Sequence, residues 1–277
     1  MNDFILKVVA TVVGVGAASG LFYRDDSVYL ISDNTNYLYR YSLSANTLSK
    51  TLLVDDDTPR EQLPKKQKRD FEAISIAENC FYIYGSGSGS VRKRNIQVAI
   101  NVADSGWRMQ NDLTSLYTRL RGLFHISDDD FNVEGAVHHN GQTYLFNRGN
   151  GPGHVNGIFR LGAATRDTAF IPVDLPKLEG VQTAFTDAVV LDDKLYFLAA
   201  AEDTESTYHD GTVYGTLLGT LSLPDLSLQR CAVISPSHKF EGLTFVRRDA
   251  KRLTFFLCED SDTAGLETNI YQLSISE

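Results

Sequence analysis

A short cassette recurs five times along the chain: an acidic or hydroxylated residue, then Gly or Ala, then an apolar run. It reads Ser19-Gly20-Leu21, Glu72-Ala73-Ile74, Glu134-Gly135-Ala136, Asp187-Ala188-Val189 and Glu241-Gly242-Leu243, the first being a degenerate copy. The Gly/Ala positions follow one another at 53, 62, 53 and 54 residues. Each cassette opens a strand that meets a polar turn such as Glu78-Asn79, His139-Asn140-Gly141 or Asp192-Asp193, and a second apolar strand follows. Hairpin-built units at a period of roughly 40 to 55 residues are the signature of a β-propeller rather than a sandwich.

The spacing predicts an all-β chain, a single five-bladed β-propeller over residues 1–277, with six blades as the alternative. Blades are expected near 18–54, 70–102, 132–176, 185–235 and 240–277. The one long interval holds Leu113, Leu116, Tyr117, Leu120 and Leu123 at helical spacing, which predicts a short amphipathic helix over 112–123, inserted after blade two. Residues 4–13 precede the first cassette and are expected to close the ring beside the C-terminal strand around Ile270–Ile275, removing an open edge.

Charge narrows the partners. With 26 Lys+Arg against 35 Asp+Glu the formal net charge is −9, the wrong sign for gaining affinity from phosphate backbones, so no nucleic-acid partner is expected and cations suit the surface better than anions. Cys80, Cys231 and Cys258 lie far apart without a CxxC pair and read as reduced thiols. The apolar run Val8 to Ala18 ends in Ala17-Ala18-Ser19 like a signal-peptide cleavage region. Asp3 offsets Lys7 ahead of it, however, and three glycines dilute a run too short to cross a bilayer. A cytoplasmic monomer without membrane contact is therefore expected, with export and residues 1–18 as a signal peptide the alternative.

In a propeller the first strand of each blade lines the central channel, so residues that start first strands and end second strands surround one mouth. Glu72, Glu134, Asp187 and Glu241 are expected to converge there as metal ligands, with Asp33, Ser86, Asn147, Arg148, Glu202, Asp203, Glu259 and Asp260 around them. Converging carboxylates repel unless a cation, a basic side chain or a proton intervenes. Oxygen ligands without a Cys or His shell favour Ca²⁺ over Mg²⁺ or Mn²⁺. The other reading gives these acids to strand N–H groups, where they fix blade registration.

Glu202 and Asp203 are the base candidates, and His209 lies in the polar loop 201–211, next to Asp210. Arg148 reads equally as a clamp for a small anionic molecule or as the counter-charge of Glu134. Other motifs fail: Gly85 to Ser90 lacks the Lys of a phosphate loop, and Asp260-x-Asp262 continues with Ala264 where an EF-hand needs a ligand.

Lys68-Arg69-Asp70-Phe71-Glu72-Ala73-Ile74, Asn132-Val133-Glu134-Gly135-Ala136 leading to Asn147-Arg148-Gly149-Asn150-Gly151, and Ala201-Glu202-Asp203-Thr204 with Tyr208 and Gly215 together resemble an uncharacterised bacterial β-propeller family, over nearly the whole chain. More remotely the cassette is similar to that of phytase-like esterase, SdiA-regulated and SMP-30/gluconolactonase propellers. That likeness implies a divalent-metal site at the channel mouth and hydrolysis of phosphate esters or lactones. The competing expectation is a non-catalytic ligand-binding or protein-interaction propeller using the same mouth.

Overall fold

The computed structural model describes residues 4–56, 59–104, 106–163, 167–207, 209, 211–260 and 265–277. Among them the strands form five antiparallel sheets, each built from strands consecutive in sequence except the last. The first holds Ala18–Arg24, Ser27–Ser32, Tyr37–Ser42 and Thr47–Leu52. The second runs from Phe71–Ala77 to Arg108–Asp112, the third from Val133–His139 to Thr168–Pro172, and the fourth from Lys177–Leu178 to Leu228–Ser235. The fifth orders Phe240–Asp249, Arg252–Glu259 and Glu267–Ser276, then takes Phe4–Val13 as its outer strand. Inner strands of successive blades neighbour one another, and blade five returns to blade one. The molecule is a five-bladed β-propeller closed by its N-terminal strand.

The hydrophobic core is divided into five wedges, one at each blade junction. Phe146, Phe185 and Phe197 fill the junction of blades three and four with edge-to-face ring contacts, at centroid distances of 5.2 and 5.0 Å. The closing strand contributes Val12, fully buried against Leu21, Ile270 and Cys258 in the wedge between blades five and one. No described helix is long and apolar enough to cross a membrane.

The inserted helix, Thr114–Phe124, buries Tyr117 and Leu120 against Tyr84, Phe131 and Phe159 between blades two and three. It also shapes the mouth. The Tyr117 hydroxyl donates to the Gly85 carbonyl at 2.9 Å, and its ring lies where a Cβ on Gly87 would come within 2.5 Å. Gly87 also sits at φ +68°, so only glycine fits both the backbone and the space.

One irregularity repeats in every blade. The pairing of first and second strands slips at Ser19, Glu72, Glu134, Thr186 and Glu241, each left as the extra residue of a β-bulge. A bulge turns its side chain out of the alternating pattern and increases local twist. Three bulge residues are glutamates. Ser19 and Thr186 instead donate their hydroxyls to the Phe71 and Phe240 carbonyls of the next blade, at 2.5 and 2.7 Å. Ring closure should be sensitive to its last strand. Val12→Ala is expected to cost about 2 kcal/mol, read as a lower urea midpoint, and removal of residues 1–13 to abolish the cooperative unfolding transition.

Candidate functional site at the channel mouth

Three blades deliver the bulge glutamates. The residue two positions before each bulge glutamate lies on the same side of the chain and also lines the mouth: Asp70 before Glu72, Asn132 before Glu134, and Lys239 before Glu241. In the two blades whose bulge residue is a hydroxyl, that position is Ala17 or Ala184. The recess between them has a volume of about 210 Å³, with Arg148 and Glu202 on one wall and Asp33 and Lys68 on another.

Arg148 organises one half. It is 4% exposed, and its Nη1 lies 3.3 Å from Glu134 Oε2 and 3.6 Å from Glu241 Oε1, while its Nη2 donates to Glu202 Oε2. Lys239, equally buried, lies 3.2 Å from Glu241 Oε1 and 3.6 Å from Glu202 Oε1. Two cations thus face three buried carboxylates, where removing one partner leaves charges uncompensated.

The oxygens of these glutamates are not equally engaged. Glu134 receives Asn132 Nδ2 at 2.7 Å on Oε1 and Arg148 on Oε2, and Glu202 receives the Gly211 N–H at 3.0 Å on the oxygen facing Lys239. Glu241 directs Oε1 at both cations, and its Oε2 has no hydrogen-bond or ion-pair partner among the described residues.

Electrostatics follow from this geometry. Burial and the neighbouring Glu134 carboxylate raise Glu241, pushing it up to about 7 despite the opposing pull of Lys239 and Arg148. Burial likewise raises Glu134 against the effect of Arg148. For Glu202 burial acts upward, but Arg148 and Lys239 outweigh it and hold the group below the usual carboxylate range. Burial pulls Lys239 down, yet the facing Glu241 and Glu202 hold it above the usual ammonium value.

The other half of the mouth is acidic. One carboxylate oxygen each from Asp33, Asp70 and Glu72 lies within 4.8 Å of the other two. Asp70, at φ +55°, is held by the Ser86 hydroxyl at 2.6 Å, the Ser88 hydroxyl at 3.2 Å and Arg94 at 3.3 Å. Lys68 donates to Asp33. Glu72 has neither hydrogen bond nor ion pair among the described residues, and burial together with Glu134, Asp70 and Asp33 raises its pKa well above the usual range.

Several residues expected at the mouth lie elsewhere. The blade-four cassette is one residue out of register with the others: Thr186, not Asp187, occupies the bulge. A one-residue slip reverses the side-chain face. Asp187 therefore lies between blades, accepting the Ala188 and Leu243 N–H groups at 2.7 Å each. That is the registration role rather than metal ligation.

Ser86 and Asn147 are fully buried. Ser86 holds Asp70, and Asn147 donates to the Asp130 and Val155 carbonyls at 2.9 and 2.6 Å. Glu259 accepts the Tyr271 hydroxyl, with Oε2 3.9 Å from His238. Asp203 is exposed and lines an adjoining recess of about 280 Å³, whereas His209 and Asp260 line the mouth itself. Tyr208, Asp210 and Asp262 lie outside the described residues.

A model of the family of unknown function DUF6929 matches residues 14–275. No curated protein matches the chain. Among solved structures the chain is similar to glutaminyl cyclase of Myxococcus xanthus, with a TM-score of 0.53 at 8% identity, covering 99% of this chain and 98% of that one. It also matches a luciferin-regenerating enzyme with a TM-score of 0.49 at 9% identity, covering 98% and 95% of the two chains. At such identity the cyclase match supports the fold alone.

Two outcomes test the electrostatics. Arg148→Met should destabilise the protein by about 3–5 kcal/mol at pH 7, because three buried carboxylates then share Lys239 alone. Glu241 holds its proton more tightly folded than unfolded, so its contribution is fully present below its ordinary pKa near 4.5 and is lost as pH rises towards 7. Urea midpoints across that window should fall more steeply with pH in the wild type than in Glu241→Gln.

Proposed function

The chain belongs to the DUF6929 family of unknown function, and on that premise we propose that its channel mouth is a divalent-cation site that presents the ion to a small anionic ligand. The observation that carries this reading is the Asp33, Asp70 and Glu72 cluster, in which Glu72 stands without a partner among the described residues. Hard carboxylate oxygens from two segments, with open space for water, suit Ca²⁺ better than Mg²⁺, which demands stricter octahedral geometry. Lys68, donating to Asp33, is the internal cation that an ion displaces. Once displaced, its ammonium stands beside Lys65 at the recess, placed to receive an anionic group.

A second reading, hydrolysis of a phosphate ester or lactone, is favoured by Glu241. Glu202 has both oxygens committed and a lowered pKa, which makes it a poor base. Glu241 holds a proton near neutrality and keeps one oxygen uncommitted at the recess, the property a general acid or base needs. A bound cation would supply Lewis acidity in such a reaction.

Thermal unfolding with CaCl₂ against EDTA checks the cation site. At about 100 times its Kd an ion adds about 2.7 kcal/mol to stability, which should raise the wild-type Tm by several degrees and leave Glu72→Gln and Asp33→Asn unmoved. An unchanged wild-type Tm up to about 10 mM Ca²⁺, Mg²⁺ and Mn²⁺, about 10,000 times a micromolar Kd, contradicts the proposal.

A further inference from the structure

Two to four residues beyond the bulges, along the same inner strands, the channel changes character. A second cavity of about 230 Å³ lies there, and eleven of its fourteen lining residues are apolar, among them Leu21, Phe22, Ile74, Val137, Val189 and Phe245. The three polar exceptions are Ser75, His138 and Thr244. A mostly apolar recess with a few convergent polar groups is the usual form of a small-molecule site.

The hydrogen-bond chain behind those polar groups has a direction. Gln97, which accepts Asn111 Nδ2 at 2.8 Å on Oε1, stands opposite Tyr84 on the neighbouring strand, and the hydrogen-bond partner of the Tyr84 hydroxyl among the described residues is His138. The Tyr84 hydroxyl lies 3.1 Å from His138 Nε2, and the Ser75 hydroxyl lies 2.8 Å from His138 Nδ1. Burial lowers the His138 pKa, so the ring is neutral and carries one N–H.

Two polarities connect these groups. If Ser75 donates to Nδ1, then Nε2–H donates to Tyr84, and the Tyr84 hydrogen is stranded in a buried site without an acceptor, which costs about 1–3 kcal/mol. If Tyr84 donates to Nε2, then Nδ1–H donates to Ser75, and the remaining hydrogen is that of Ser75, at the cavity wall. The second polarity leaves no buried donor behind the wall.

Thr244 is in the same condition. It is 2% exposed, its Oγ1 accepts the Tyr23 N–H at 3.1 Å, and its own hydrogen has no acceptor among the described residues. Its side chains thus present two hydroxyl donors, from blades two and five, and no charged group.

We infer that the inner channel is a second binding site, separate from the charged mouth, for a small uncharged apolar molecule of about one ring that carries a carbonyl oxygen. The apolar walls take the ring, and Ser75 and Thr244 donate to the carbonyl. A carboxylate is disfavoured because neither Lys nor Arg lines the cavity, and a purely apolar molecule leaves both hydroxyls unsatisfied.

Fluorine NMR with 4-fluoroacetophenone as the probe, and fluorobenzene as the probe without a carbonyl, tests this on the full chain. The wild type should broaden the 4-fluoroacetophenone resonance saturably and bind fluorobenzene at least about fivefold more weakly, the worth of one net hydrogen bond. Ser75→Ala with Thr244→Val, which keeps the volume nearly constant, should remove that preference, and Val189→Phe should abolish binding of both probes. Circular dichroism and Tm establish that each variant is folded. Absence of saturable broadening in the wild type overturns the inference. So does equal affinity for the two probes, or a preference that survives in the double variant. None of these outcomes depends on the cation site, since no metal is added and no mouth residue is changed.

Discussion

Arg148 is the side chain around which the charged mouth is arranged. Its guanidinium comes from the end of a second strand in blade three and meets Glu134 of its own blade, Glu202 of blade four and Glu241 of blade five. A planar fork with several donors can bridge three carboxylates, which a single ammonium cannot do with the same geometry. Together with Lys239 it holds the carboxylates of the blade-three to blade-five side, while Lys68 and Arg94 face Asp33 and Asp70 on the blade-one and blade-two side and leave Glu72 without an ion pair among the described residues.

The bulge makes this possible. A regular strand would send the residue at each cassette position along the alternating pattern, into a blade junction or the channel wall. The extra residue lets Glu72, Glu134 and Glu241 turn to the mouth while the flanking apolar residues stay in their wedges. Where the bulge residue is Ser19 or Thr186 the same backbone feature is used to tie one blade to the next. Lining the mouth and tying one blade to the next are thus alternative uses of one local distortion.

Much of this was legible in the chain. The cassette period gave five blades, the apolar N-terminus its closing role, and helical spacing of Leu113 to Leu123 the inserted helix. The cassette also located Glu72, Glu134 and Glu241. It misplaced Asp187, because matching an acid to an acid hid the better alignment of Phe185-Thr186-Asp187 with Phe71-Glu72-Ala73, and one residue reverses a side chain.

Lys239 and Asp70 carried a signal that acid counting passes over. A polar residue stands two positions before each bulge glutamate, and alanine stands there in the other two blades. The partition of Arg148 among three acids and the Tyr84–His138–Ser75 chain depend on distances between blades, which no local pattern encodes.

The channel is consequently divided into two chemically unlike compartments stacked along one axis, a charged mouth and an apolar interior. The account depends most on the acidic corner of the mouth holding an ion. Crystals grown with MnCl₂, measured at the manganese absorption edge, address it directly. The account predicts an anomalous peak bonded to Asp33, Asp70 and Glu72, with Lys68 turned away from Asp33. A Lys68–Asp33 pair left intact, with no peak among those three carboxylates, would contradict it.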